Sequence, residues 1–376
     1  MSSALKELFP TVKRRPRTLH VERAERTSAS FLRVLSSKDK ARGIAKRLPE
    51  AFVHFGSGTI KNYEHLRRAV SYIARNGNIT LEKADKSLLA GKADYDSELY
   101  KWKLSQTIPD QGGSLSHARR LILSMPASTP EDKFKNACRK WANDTLSGYE
   151  FVLGFHTAST DQKTNQPHCH IIVSTIGKDG KRMHIDNQTR DAMREHFVAC
   201  LKDFGIEATA TRRWSRGKVL KGVPISEIHN ERKFASSQER AKAHAIARKK
   251  ERLRAKDKQI QSVISAFKEG RNIEDTPGIT KIKKNREKLL QLVSKAIAEL
   301  EQSGNSEDLK IAAGLKDYYK TLGPVESLSQ RTLRELRETQ RNNQKQADHI
   351  RRMQAMKKQA QRAILIKKSN RTLINF

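Results

Sequence analysis

No stretch of this 376-residue sequence approaches the roughly 20 consecutive apolar residues needed to cross a bilayer, which excludes a membrane-spanning helix. The start, Met1-Ser-Ser-Ala-Leu-Lys6, has no apolar segment of the secretory kind. Cysteine is scarce: Cys138, Cys169 and Cys200 are scattered singly, which fits neither a disulfide framework nor a cysteine-based zinc site and points to a cytosolic protein. Acidic residues are the scarcer charge. Forty-one Asp and Glu stand against 75 Lys and Arg, leaving a formal net charge of +34. Such an excess favours a polyanionic partner, nucleic acid first and an anionic membrane surface second.

What is present falls into three parts. Residues 1–50 are basic and poor in aromatics, densest at Lys13-Arg-Arg-Pro-Arg17, and read as an arm that is either solvated or in touch with DNA phosphates. In residues 51–222 strands alternate with helices, which makes an α/β or α+β unit. Leu66, Ala69, Val70 and Ile73 form one helical stripe stopped at Asn76-Gly77. Leu121-Ile-Leu-Ser-Met125 reads as a strand, and Pro130 opens a helix that buries Phe134, Ala137, Cys138 and Trp141. Two further strands follow, then a turn at Lys178-Asp-Gly-Lys181 and a helix through Met193, Phe197 and Leu201. Residues 223–376 are basic and helical, with breaks at Thr276-Pro-Gly278, Gly304-Asn305 and Gly323-Pro324, and the last helix is long. After Asp348 the chain has no acidic residue.

The chemistry concentrates in Gly154-Phe-His156 and Pro167-His168-Cys-His170-Ile-Ile-Val173. His168 and His170 are two apart on a strand and face the same side. His156 closes the apolar run Phe151-Val-Leu-Gly-Phe155, and pairing of the two runs would make three imidazoles converge. Three neutral nitrogen donors with open coordination positions form the pattern of a catalytic metal site. His184, after the turn, is a spare candidate ligand.

Of the seven tyrosines, Tyr72 is the best placed to react. At 100° per residue the centre of the helix stripe lies roughly 70° from Tyr63 and about 110° from Tyr72. Tyr63 can still pack on the core edge, whereas Tyr72 points away from it, beside Arg75. A phenol with a pKa of about 10 needs a cationic setting or a base to become nucleophilic. Tyrosine, a three-histidine metal site and a basic chain together suggest phosphodiester transesterification. Arg212-Arg213-Trp214-Ser-Arg216-Gly-Lys218 alternates cations with an indole and reads as a DNA contact, the alternative being a basic loop with one core tryptophan. His117-Ala-Arg119-Arg120 reads as solvated charge.

These blocks resemble the conjugative DNA relaxases of the histidine–hydrophobe–histidine class, and within it the plasmid-mobilisation branch that includes the T-strand nickase. Tyr72-Ile-Ala-Arg-Asn-Gly77, Leu121-Ile-Leu-Ser-Met-Pro126 with the helix through Trp141, and the two histidine segments are similar to the family's motifs, in the same order. The tyrosine precedes the histidine pair, as in relaxases; in rolling-circle replication initiators, the alternative, it follows. Tyr318 and Tyr319, downstream, are assigned to packing. The expected fold is α+β, layered, with a central antiparallel sheet whose flanking helices carry the site, followed by the helical region. The resemblance implies that Tyr72 attacks the scissile phosphate at an origin of transfer, giving a 5′-phosphotyrosyl link and a free 3′-hydroxyl. It further implies that His156, His168 and His170 hold a divalent ion, Mg²⁺ or Mn²⁺ with Zn²⁺ as a further option. It implies single-stranded origin DNA, accessory relaxosome proteins and a type IV coupling protein as partners, in a bacterial cytoplasm with export alongside the strand. The basic C-terminal helices then read as a DNA clamp, a docking surface or a transport signal.

One position departs from the pattern. The family places an acid two residues after the first histidine, and here Ala158 stands there; Asp161, in the longer loop that follows, is the candidate to take the role. Two other function classes are compatible with the residues: a hydrolytic metallonuclease using activated water, and a non-catalytic basic nucleic-acid-binding protein.

Overall fold

Three strands of unlike length and composition from their neighbours hold the centre of the molecule. In a computed structural model, which describes residues 3–12, 32–56, 60–161, 166–218 and 258–373, β4 (Ala118–Ser124), β5 (Tyr149–His156) and β6 (His168–Gly177) run antiparallel through the middle of a six-stranded sheet. Their Val, Ile, Leu and Phe residues suit a pleated surface covered on both faces. Shorter strands flank them: β1 (Phe52–Phe55) beside β4, and β2 (Leu81–Lys83) with β3 (Leu88–Leu89) beside β5. The order β1-β4-β6-β5-β2-β3 is antiparallel throughout, as the α+β class expected from the sequence requires.

Alternation along the strands divides the apolar residues between two layers. One face sends Val53, Leu121, Leu123, Phe151, Leu153, Cys169, Ile171 and Val173 against α5 (Glu131–Leu146) and α6 (Asn187–Asp203). Trp141 is fully buried there and donates from Nε1 to the Met193 carbonyl, 2.8 Å away, so its one polar atom is satisfied. Removing such an indole costs about 3–5 kcal/mol. The other face sends Leu81, Ala118, Val152 and Ile172 against α3 (Tyr63–Ile73) and α4 (Lys92–Leu104). Asn62 caps α3 by accepting from the His65 amide.

The described parts of residues 3–12 and 32–50 are packed rather than free. α1 (Ala4–Leu8) and α2 (Ser37–Ala45) bury Leu8, Phe9, Ala41 and Ile44 with residues of α7 (Pro277–Gln302) and α8 (Ser306–Lys320). Their apolar positions are few and lie among many cations, which is why composition alone suggested an arm. A buried ion pair adds a polar tie: Lys40 Nζ lies 2.5 Å from Glu195 Oε1 of α6, both side chains 5% exposed. The cluster Lys13–Arg17 lies outside the described residues.

The chain divides into two compact units, residues 1–218 with 288–322, and residues 219–287 with 323–376. The second, where described, is helical: residues 258–268, the first turns of α7, and α9 (Leu328–Leu373). Its apolar centre is small, Val263, Ala266 and Leu333. The helix breaks fall at the three expected places, since α7 opens at Pro277, Asn305 caps α8, and α9 begins beyond Pro324. Among the described residues no helix is long and apolar enough to cross a membrane.

Candidate active site

Strand register sets the histidines in place. β5 pairs with β6 so that His156 lies opposite His168 and Gly154 opposite His170, all on the face that carries α3. The three rings stand with centroids 4.8–5.0 Å apart, and one nitrogen of each falls within 4.8 Å of the others. Burial holds His168 below its usual pKa and pushes His170 down to about 3, with the neighbouring imidazoles adding to the effect. Both rings are therefore neutral near pH 7, the form that ligates metal.

Each ring's orientation has an identifiable cause. His168 donates from Nδ1 to the Gln166 carbonyl at 2.9 Å, which leaves its Nε2 lone pair for the cluster. His156 Nδ1 lies 2.9 Å from Asp161 Oδ2, and its Nε2 lies 2.8 Å from the Ile73 carbonyl. A carboxylate behind one imidazole nitrogen and a metal before the other is the usual support of a metal-bound histidine. The donor set fits a divalent ion on that pattern, and His156 would hold it through Nε2, the nitrogen that lies against the Ile73 carbonyl. The Ile73 carbonyl has no sequence signal at all, because any residue at the end of α3 would offer one.

The turn Thr157–Thr160 explains how Asp161 reaches back. Its amide donates to the Thr157 carbonyl at 2.8 Å, Thr160 Oγ1 accepts from the Thr157 amide, and Ser159 Oγ donates to Glu131 Oε2 of α5 at 2.6 Å. The chain folds once, and the fifth residue after His156 lies beside its ring while Ala158 is exposed. Asp161 Oδ2 also accepts from Arg75, at 3.0 Å from Nε and 2.8 Å from Nη2.

Arg75 has an unusual backbone. It and Asn76 have φ of 48° and 59°, and Gly77 has 99°, three left-handed residues in succession at the end of α3. Gly77 is required there, since a Cβ would stand 2.9 Å from the Lys92 amide nitrogen. Asn76 is steadied by the Ser71 hydroxyl, 2.9 Å from its Oδ1. The reversal turns Arg75 back over the ring of Tyr72, 5.3 Å from guanidinium carbon to centroid. Tyr72 is 52% exposed and meets His170 edge-on, with centroids 6.1 Å apart. Tyr63, by contrast, packs against the core, and burial raises its phenol above the usual value.

Other residues singled out by sequence lie apart from this cluster. Arg212 pairs with Asp191 at 2.6 Å, Arg216 with Glu50 at 3.2 Å, and Arg213 donates to the Lys218 carbonyl. Trp214 is 44% exposed, not a core residue, and Lys218 is exposed. Tyr318 and Tyr319 donate to the carbonyls of Arg216 and Ser215, so they hold this segment on α8. His184 is exposed and stands outside the triad. A second group, Asp144, His196 and Cys200, has its imidazole engaged by the Arg33 amide and Asp144, and burial pushes the Cys200 thiol up to about 12.

Residues 71–206, just over a third of the chain, match the family model described as "Relaxase: MobA/VirD2-like, nuclease domain", in line with the resemblance carried by the motifs. That span includes Tyr72, Arg75, Asp161 and all three histidines and leaves out Tyr63 and the Arg212–Lys218 segment. Among solved structures, a chain described as "Molecular Basis of Vancomycin Resistance Transfer in Staphylococcus aureus" is similar at 11% identity, over 43% of this chain and 99% of that one, with a TM-score of 0.29. At that score the likeness bears no structural argument. The comparison with curated proteins found no match.

Proposed function

We propose that this protein is a metal-dependent, site- and strand-specific DNA nicking and joining enzyme that starts conjugative transfer at an origin of transfer. One observation carries the reading: an exposed tyrosine beside an arginine stands edge-on to a cluster of three imidazoles, within the segment that matches a relaxase nuclease domain.

Tyr72 is the nucleophile in this reading. Its phenol proton passes to solvent, which the half-exposed side chain meets, the oxygen bonds to phosphorus, and the bond to the 3′ oxygen breaks with the electron pair leaving on that oxygen, which takes a proton from solvent. The product is a 5′-phosphotyrosyl link and a free 3′-hydroxyl, and the reverse attack rejoins the strand. His156, His168 and His170 would hold the ion, Mg²⁺ or Mn²⁺ with Zn²⁺ as a further option. When bound, it supplies positive charge to the phosphate oxygens as charge builds on them. Arg75 holds its guanidinium over the phenol ring, where it would meet the phosphate that the phenol attacks. Asp161 spends an oxygen on Arg75 and His156 and so acts as a positioning residue rather than as the base. Arg212, Arg213, Trp214, Arg216 and Lys218 would follow the strand beyond the site. Accessory relaxosome proteins, a coupling protein and export with the strand belong to the same reading.

The test is a denaturing protein gel after incubation with labelled single-stranded origin DNA and Mg²⁺ or Mn²⁺. A covalent adduct that vanishes in Tyr72→Phe and persists in Tyr63→Phe is expected. Cleavage without an adduct would make the protein a hydrolytic nuclease, and binding alone a non-catalytic one.

A further inference from the structure

We propose that Phe52 and His54, on edge strand β1, form a stacking platform for unpaired bases of the DNA strand beside the histidine cluster, a proposal that rests on the nicking reading above. Register carries it. Phe52 lies opposite Ser124, which lies opposite His168; His54 lies opposite Ile122, which lies opposite His170. Directly paired residues present their side chains to one face of a sheet. The aromatic pair therefore shares two rows with two of the histidines, two strand spacings or about 10 Å from them. Ile122 and Ser124 between them are only half-buried, so this part of the face is open, whereas the part over Val152 and Ile172 lies under α3 and α4.

The pair is also shaped for a base. The two rings are parallel, 4° apart in plane, with centroids 5.9 Å apart. Phe52 is 54% exposed and His54 is exposed, while Val53 between them anchors the strand in the opposite core. An exposed phenylalanine on an edge strand invites aggregation and brings no packing gain, so its exposure calls for an occupant. Charge selects that occupant. Arg120 lies two residues before Ile122 on the same face of β4, near enough to help depress His170, and Arg75 lies on the far side of the cluster. Cations on the inner side of the aromatic pair, one beside it and one beyond the cluster, suit a phosphate backbone that runs toward the histidines with its bases turned onto the rings. A duplex keeps its base faces stacked on one another, so the platform selects the unpaired strand. The sequence signal was the alternation Phe52-Val-His-Phe55, too short to stand out from its basic surroundings.

The experiment measures binding of the full chain to a fluorescein-labelled single-stranded oligonucleotide of mixed sequence by anisotropy, in EDTA, against the same sequence as a duplex. Phe52→Ala is expected to weaken single-strand binding about ten-fold, since a base–aromatic stack is worth that much or more, with duplex binding changed less than two-fold. Phe52→Trp should retain binding, and Phe52→Leu should lose it as alanine does. Circular dichroism should match the parent throughout, because the ring is exposed. Unchanged single-strand binding in Phe52→Ala overturns the platform. So does an equal loss on duplex, or full binding by Phe52→Leu, which would mark an apolar docking face instead. The adduct gel separates the two readings: no adduct in the unmutated chain sinks nicking while leaving the binding result intact.

Discussion

Asp161→Asn isolates what the carboxylate does for the histidine behind which it sits. The substitution keeps the shape and removes the charge of a side chain that is 6% exposed and whose Oδ2 accepts from both His156 and Arg75. Hydrogen bonds to charged groups contribute about 1.5–3 kcal/mol, and neutral ones about 0.5–1.5. Two partners each losing about 1 kcal/mol gives about 2 kcal/mol. Loss of a carboxylate behind a metal-bound histidine costs about 10–100-fold in affinity, or about 1.4–2.7 kcal/mol, and of the two bonds only the one to His156 bears on that figure, the one to Arg75 bearing on stability. Calorimetric titration with Mn²⁺ should show the dissociation constant rise by that factor. Adduct formation, titrated with Mn²⁺, should fall at low metal and recover at high metal. Recovery distinguishes a positioning residue from a general base, whose loss no excess of metal restores. An Mn²⁺ affinity within two-fold of the parent would refute the assignment.

Lys40→Met and Glu195→Leu should each lower the stability of the first unit by about 3–5 kcal/mol, and the pair together far less than their sum, because a lone buried charge is worse than none. Urea unfolding followed by tryptophan fluorescence reads this unit alone, since Trp102, Trp141 and Trp214 all lie in it; additive losses would contradict the idea. Burial holds the Glu195 carboxyl above its usual range, with Lys40 opposing. The folded form thus binds that proton more tightly than the unfolded chain, so this group's contribution is largest below the ordinary carboxylate range and declines as pH rises through the elevated value. The pH slope of the urea midpoint should therefore differ between parent and Glu195→Leu in that sense, and identical slopes would count against it. Gly154→Ala would set a Cβ 3.1 Å from Leu81 Cδ2 and 3.3 Å from the Ile73 carbonyl, next to Tyr72. A stability loss of about 1 kcal/mol is expected, with a larger fall in adduct formation; full activity on the gel would show that the carbonyl can move freely.

The central strands, α5, α6 and the C-terminal helix breaks were legible because each has a clean period or a Pro or Gly at its boundary. The direction of Tyr72 was legible from helical phase alone, and the face shared by His168 and His170 from strand parity. α4 was not, although Tyr95, Leu99 and Trp102 hold helical spacing, because lysines and acids surround them. The edge strands β1, β2 and β3 have only two to four residues, too few for a period to emerge. α2 was not legible either, since its one sequence mark, the capping box of Ser36 with Asp39, lies inside a stretch dominated by positive charge. The place of Asp161 depends on one turn, and a turn's geometry leaves no periodic trace.

The left-handed run at Arg75 has a consequence for how variants of this protein would be selected. A non-glycine residue in that conformation carries a penalty on the order of 1 kcal/mol, which glycine escapes. Glycine at position 75 would recover that penalty but leave the buried Asp161 carboxylate without its guanidinium, a loss of about 1.5–3 kcal/mol, so thermal screening would keep the arginine in its strained conformation. At this position, robustness and reactivity are selected in the same direction.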